Sequence, residues 1–140
     1  MYDPTLVQPM RDEVTALGVK ELTNSEDVEQ AMANEGTTLL FINSVCGCSA
    51  GSARPALRQA MAHDTLPDQV VTVFAGQDRE ATEKARSYVH GMPPSSPMFV
   101  LFENGDVVHA IPRHHIEGYS ADQIAENLKG AFNAFCGQKV

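Results

Sequence analysis

The residues Thr38 to Ile42 are apolar or β-branched without alternation, and this run constrains the chain more than any other stretch. A strand of that kind is buried on both faces, so it needs a covering layer on each side. The chain continues through Asn43, Ser44 and Val45 into Cys46-Gly47-Cys48. From Ser49 the composition turns to small residues, followed by Leu57, Ala60 and Met61 at helical spacing. The two cysteines are therefore expected at a strand-to-helix turn.

The rest of the chain supplies the covering layers. Asp3-Pro4 opens a helix that puts Leu6, Val7, Met10, Val14 and Leu17 on one face, and Gly18 closes it. Val19 to Leu22 reads as a short first strand. Thr23 and Glu26 have the form of a capping box for a helix carrying Val28, Ala31 and Met32, which ends at Gly36. After the central strand a helix is expected from about Ser49 to His63, kinked at Pro55. Val70 to Ala75 is a second buried strand, parallel to the first because a helix joins them. A helix from Arg79 to His90 crosses back, and Gly91 to Pro97 is too rich in proline and glycine to continue it. Met98 to Phe102 is a third apolar strand, and Asn104-Gly105 turns it into a hairpin with Asp106 to Ile111. Following a polar loop from Pro112 to Tyr119, Ser120 caps a last helix with Ile124, Leu128, Phe132 and Phe135 on one face. The expected architecture is one α/β domain over residues 1–140, a three-layer α/β/α sandwich.

Charge and cysteine content narrow the function. A net charge of −8 argues against an extended nucleic-acid surface or an anionic membrane as partner. No run approaches the about 18 apolar residues of a membrane span, and Met1-Tyr2-Asp3-Pro4 lacks the order of a signal peptide. A cytoplasmic protein is expected. Three cysteines in that compartment do not form a structural disulfide framework, so the close pair points to redox chemistry or metal binding.

Residues two apart lie about 200° from one another around a helix, so Cys46 and Cys48 cannot share a helical face. Cys46 belongs in the turn. There its sulfur meets the unpaired N–H groups and positive dipole of the helix start, which favour the thiolate. Cys46 is thus the candidate nucleophile and Cys48 the resolving thiol, with Gly47 permitting their approach. A disulfide between them closes a smaller ring than a Cys-x-x-Cys pair does. Strain in that ring would make the couple comparatively oxidising.

Three stretches together, Ser44-Val45-Cys46-Gly47-Cys48-Ser49-Ala50-Gly51, Gly91-Met92-Pro93-Pro94-Ser95-Ser96-Pro97 and Ile111 to Gly118, resemble those of the bacilliredoxins, thioredoxin-like proteins with a Cys-Gly-Cys site. The resemblance spans almost the whole chain. It implies a thioredoxin-like fold with a mixed central sheet and an extra N-terminal helix. It also implies removal of bacillithiol from protein mixed disulfides, with weak disulfide isomerase or reductase activity and no cofactor. Cys46 would take the bacillithiol from the client; Cys48 or a second bacillithiol would then release it. Ser96-Pro97 would form a cis peptide bond beside the thiols and, with Gly47 and Arg113, contact the substrate. On local sequence alone a trans proline opening a strand is the favoured reading of Pro97, and only the joint pattern favours cis.

Other readings stand beside this one. Cys46 and Cys48 with a histidine or Cys136 could form a metal-binding module, although a closed zinc site needs four ligands. An adaptor with incidental cysteines is a third possibility. His114 and His115, in a polar loop, read first as solvated side chains. Cys136 reads first as a small buried hydrophobe and otherwise as a third redox thiol.

Overall fold

The structure, a computed structural model, describes residues 2–137. Its strands are β1 (Lys20–Glu21), β2 (Thr37–Asn43), β3 (Gln69–Phe74), β4 (Met98–Glu103) and β5 (Asp106–Ile111), in one mixed sheet of order β1-β3-β2-β4-β5. β3 runs parallel to β1 and β2, whereas β4 is antiparallel to β2 and β5 to β4. The helices are α1 (Pro4–Thr15), α2 (Ser25–Met32), α3 (Arg54–Met61), α4 (Arg79–Arg86) and α5 (Ala121–Phe135).

All seven residues of β2 are buried, as its unbroken apolar run requires. Successive side chains point to opposite faces. Leu39 and Phe41 join the core beneath α3 and α5, with Phe41 stacked on Phe99 at 4.7 Å between ring centres. Leu40 and Ile42 join the opposite core, beneath α2 and α4. Each large side chain buried this way contributes about 1.5–3 kcal/mol, which fixes the register of the central strand.

Local signals hold at several boundaries. Asp3 accepts a hydrogen bond from the Thr5 N–H at the start of α1, and Ser120 and Gln123 form a reciprocal capping box on α5. Asn104 and Gly105 adopt φ of 52° and 85°, as the tight hairpin between β4 and β5 demands.

Elsewhere the boundaries move. The cap of α2 is Asn24 rather than Thr23, its side chain accepting from the Asp27 N–H at 2.9 Å; asparagine caps at least as well as threonine. β1 shrinks to two residues, and β3 begins at Gln69, whose amide reaches the Thr38 hydroxyl at 2.9 Å. The expected kinked helix is instead a π-turn over Ser49–Ala53 followed by α3. Pro55 falls in the first turn of α3, where its missing N–H costs little. α4 ends at Arg86 and not at His90, because Tyr88 and Val89 leave the helical path and pack against the α2–α4 core.

No helix among the described residues is long and apolar enough to cross a membrane.

Candidate active site

β2 delivers the chain to the site, and a buried polar cluster holds it there. The Asn43 carboxamide oxygen accepts from the Ser44 N–H at 2.9 Å, the Ser49 hydroxyl at 3.1 Å and Arg54 Nη1 at 3.0 Å. Arg54, only 3% exposed, also donates through Nη1 to the Ser44 carbonyl at 2.9 Å and the Ser49 hydroxyl at 3.1 Å. Its Nε donates to the Glu13 carboxylate at 3.2 Å, tying the turn to α1. The Ser44 hydroxyl in turn accepts from the Cys46 N–H at 3.2 Å. The N–H groups of Ser49 and Ala50 donate to the Cys46 carbonyl at 3.0 and 3.3 Å, bending the chain into the π-turn.

Cys46 and Cys48 are free thiols, each half-buried, with their sulfurs 2.8 Å apart. Their environments differ. The Cys46 thiol is held below its ordinary pKa, first by the hydrogen bond from Cys48, then by the backbone N–H of Cys48, the charge of Arg113 and the backbone N–H of Ser49. Partial burial opposes these effects without reversing them. The Cys48 thiol is pushed up, by burial first and then by the hydrogen bond to Cys46 and the negative charge that Cys46 develops. At a pH where Cys46 is ionised, Cys48 thus retains its proton and donates it to the neighbouring sulfur.

The remaining predicted residues gather beside the thiols. The register pairs Ile42 with Met98, so Pro97 lies level with the end of β2, and the Ser96-Pro97 bond is cis. Arg113 sits on a short 3-10 turn, Arg113–His115, after β5. Its Nη1 donates to the Ser96 carbonyl at 3.4 Å and its Nε to Glu117 at 3.0 Å. A cleft of about 310 Å³ is lined by Cys46, Ser44, Ser96 and Arg113, together with Arg86 and Tyr2. Gly47 is exposed, has no positive φ, and a Cβ there would meet nothing within 4 Å. The dithiol geometry therefore imposes no demand for glycine.

The two histidines and Cys136 stand where their first readings put them, the histidines in solvent and the cysteine in the core. His114 and His115 are exposed, their rings in edge contact at 4.2 Å, and neither lines the cleft around Cys46. Cys136 is buried at the C-terminus of α5. Its thiol is pushed up, mainly by burial, an effect that Thr37 at the start of β2 partly offsets. The seven residues of β2 separate that end from the Cys46 end by about 20 Å, too far for direct attack. Among the described residues, no three His, Cys, Asp or Glu side chains converge as a metal site would need.

Sequence reasoning missed Asn43, Arg54 and Arg86. The first two carried a faint signal: a carboxamide ending an all-apolar strand and an arginine amid the small residues Ala50 to Ala56. Arg86 carried none, since it reads as one of many charges on an exposed helix.

A β1-β3-β2-β4-β5 sheet with a close dithiol after β2 and a cis-proline loop beside it is the architecture of the thioredoxin class. The fold superposes on the thioredoxin of Malassezia sympodialis with a TM-score of 0.57 over 84% of this chain and 90% of that one, at 17% identity. Residues 2–136 match the family described as Disulphide isomerase. A bacilliredoxin of Geobacillus kaustophilus is 54% identical over 97% of this chain and 95% of its own length. One from Salinibacter ruber is 53% identical over 99% of this chain and 83% of its own. The chain belongs to the bacilliredoxin family. Its relatives and its fold support a role as a thiol–disulfide oxidoreductase.

Proposed function

We propose that this protein removes bacillithiol, or a similar small thiol, from protein mixed disulfides. The observation that carries the reading is the asymmetry of two thiols in contact at 2.8 Å, one held down toward the thiolate and the other held protonated. The Cys46 thiolate attacks the small-thiol sulfur of the client. A Cys46–small-thiol disulfide forms as the client's S–S bond breaks, and the client sulfur leaves as a thiolate that takes a proton from water. Cys48, once deprotonated, attacks the Cys46 sulfur, giving the Cys46–Cys48 disulfide and releasing the small thiol. Alternatively a second small thiol attacks the adduct and leaves as the symmetric disulfide. After the first route, a dithiol or small-thiol reductant restores the pair. Arg113, acting on both sulfurs, stabilises the charge that passes between them. The Ser96-Pro97 segment offers backbone to the client, and exposed Gly47 leaves the approach open.

Mass spectrometry of Cys48→Ser after exposure to a bacillithiolated client tests this. A bacillithiol adduct on Cys46 and a released client thiol are expected; an unmodified Cys46 beside an intact client overturns the reading. A zinc or iron content equal to the protein, with both thiols shielded from alkylation, would count for a metal module instead. The match to the family described as Disulphide isomerase favours an accompanying isomerase activity, which refolding of a scrambled disulfide protein measures.

A further inference from the structure

Arg86 stands at the end of α4 and lines the same cleft as Cys46 and Arg113. Both guanidinium groups grip the loop between them. Arg86 Nη2 donates to the Ser95 carbonyl at 3.2 Å, and Arg113 Nη1 to the Ser96 carbonyl at 3.4 Å. Arg113 also holds a carboxylate, Glu117. Arg86 does not: its Nε is buried without a hydrogen-bond partner among the described residues, and Glu83 acts on it only through space. None of the cleft's lining residues is acidic, in a chain whose net charge is −8. Burying a guanidinium nitrogen unsatisfied is costly, and an arginine fork matches a carboxylate. A cleft lined by a reactive sulfur and two guanidinium groups, and by no acid, suits an anion attached to that sulfur.

We propose that Arg86 is a specificity-determining residue that binds a carboxylate of the small thiol carried on Cys46. Neutral or cationic thiol adducts are correspondingly disfavoured. This rests on the reading of Cys46 as the carrier of such an adduct. Arg113 lines the same cleft, so the site as a whole favours an anionic thiol over a neutral one. The Tyr2 ring, over Gly76, walls the cleft on the α1 side.

The test compares two mixed disulfides of one client, formed with mercaptosuccinate (two carboxylates) and with 2-mercaptoethanol (neutral), in wild type, Arg86→Gln and Arg86→Lys. In wild type the mercaptosuccinate adduct is expected to be removed faster. Arg86→Gln should cut that preference about tenfold, mainly through KM, the size of one charge-assisted contact at a partly wet site. Arg86→Lys should retain part of it, and added salt should erode it in wild type. A preference unchanged in Arg86→Gln, with Cys46→Ser still inactive, overturns the proposal and leaves the reaction standing. If wild type handles neither mixed disulfide, the reaction falls, and the role of Arg86 is decided by alkylation of Cys46. There the rate ratio of 3-maleimidopropionate to N-ethylmaleimide should drop in Arg86→Gln and be kept in Arg86→Lys; an unchanged ratio refutes it.

Discussion

Replacing Arg54 by leucine should destabilise the protein by about 3 kcal/mol, mostly through one backbone carbonyl. Exchanging a complete buried ion pair for apolar groups is often harmless. Here, however, the change leaves its partners behind. The Ser44 carbonyl loses a charged donor at 2.9 Å, a loss of about 1.5–3 kcal/mol at a buried site. The Asn43 carboxamide oxygen keeps the Ser44 N–H and the Ser49 hydroxyl, so it adds less. The Glu13 carboxylate is 41% exposed and regains water, which limits that ion pair to about 0–1 kcal/mol. For a chain of this length the sum lowers Tm by about 10 °C. Glu13→Gln should cost under about 1 kcal/mol, and Arg54→Lys should fall nearer to leucine than to wild type, because the lysine ammonium ends short of the Nη1 position that meets the Ser44 carbonyl and lacks the planar fork. Urea unfolding of the three variants, with Cys46 alkylation followed in parallel, measures both effects. Equal losses in Glu13→Gln and Arg54→Leu would refute the reasoning, since the ion pair and not the carbonyl cradle would then hold the turn.

Four more outcomes are expected. Cys46 should alkylate as a thiolate at a pH below the ordinary thiol range, and Cys48→Ala should move its titration upward, because the hydrogen bond from Cys48 is the largest cause of the lowering; Arg113→Met should move it the same way, and a pH profile of iodoacetamide reaction in each variant reads both. The Cys46–Cys48 couple should equilibrate with glutathione at a potential above the about −270 mV of thioredoxin, as the small ring of a Cys-Gly-Cys disulfide requires. Cys136→Ala should leave removal of the small thiol unchanged, while Gly36→Ala should lower stability by about 1–3 kcal/mol in thermal unfolding, because φ is 115° there and an added Cβ would strike the Asp68 carboxylate that binds the Thr37 N–H.

Much of the frame was legible because its determinants are local or periodic. The double-faced burial of β2 shows in five consecutive residues, the hairpin in Asn104-Gly105, and the last helix in Ser120 with its apolar stripe. The dithiol was equally plain, since it follows β2 directly. The residues that tune it were harder to see. Arg113 lies 67 positions from Cys46 (113 − 46), and its proximity depends on the whole sheet being closed first. Arg54 is buried through acceptors that include a backbone carbonyl, which no side-chain pattern records. Arg86 differs from its exposed neighbours only in where α4 stops, two elements away from the thiols.

The place of β2 in the sheet bears on how the protein survives its own turnover. With hydrogen-bonded neighbours on both sides, β2 has no free edge from which to peel. Its amides should exchange with deuterium only when the whole molecule opens, whereas the two-residue edge strand β1 can fray on its own. The segment carrying the reactive sulfur is therefore anchored in the slowest-opening part of the chain, and partial unfolding elsewhere leaves the thiols paired and aimed. Heat or denaturant at sub-lethal doses should loosen the periphery well before it scatters the sulfurs.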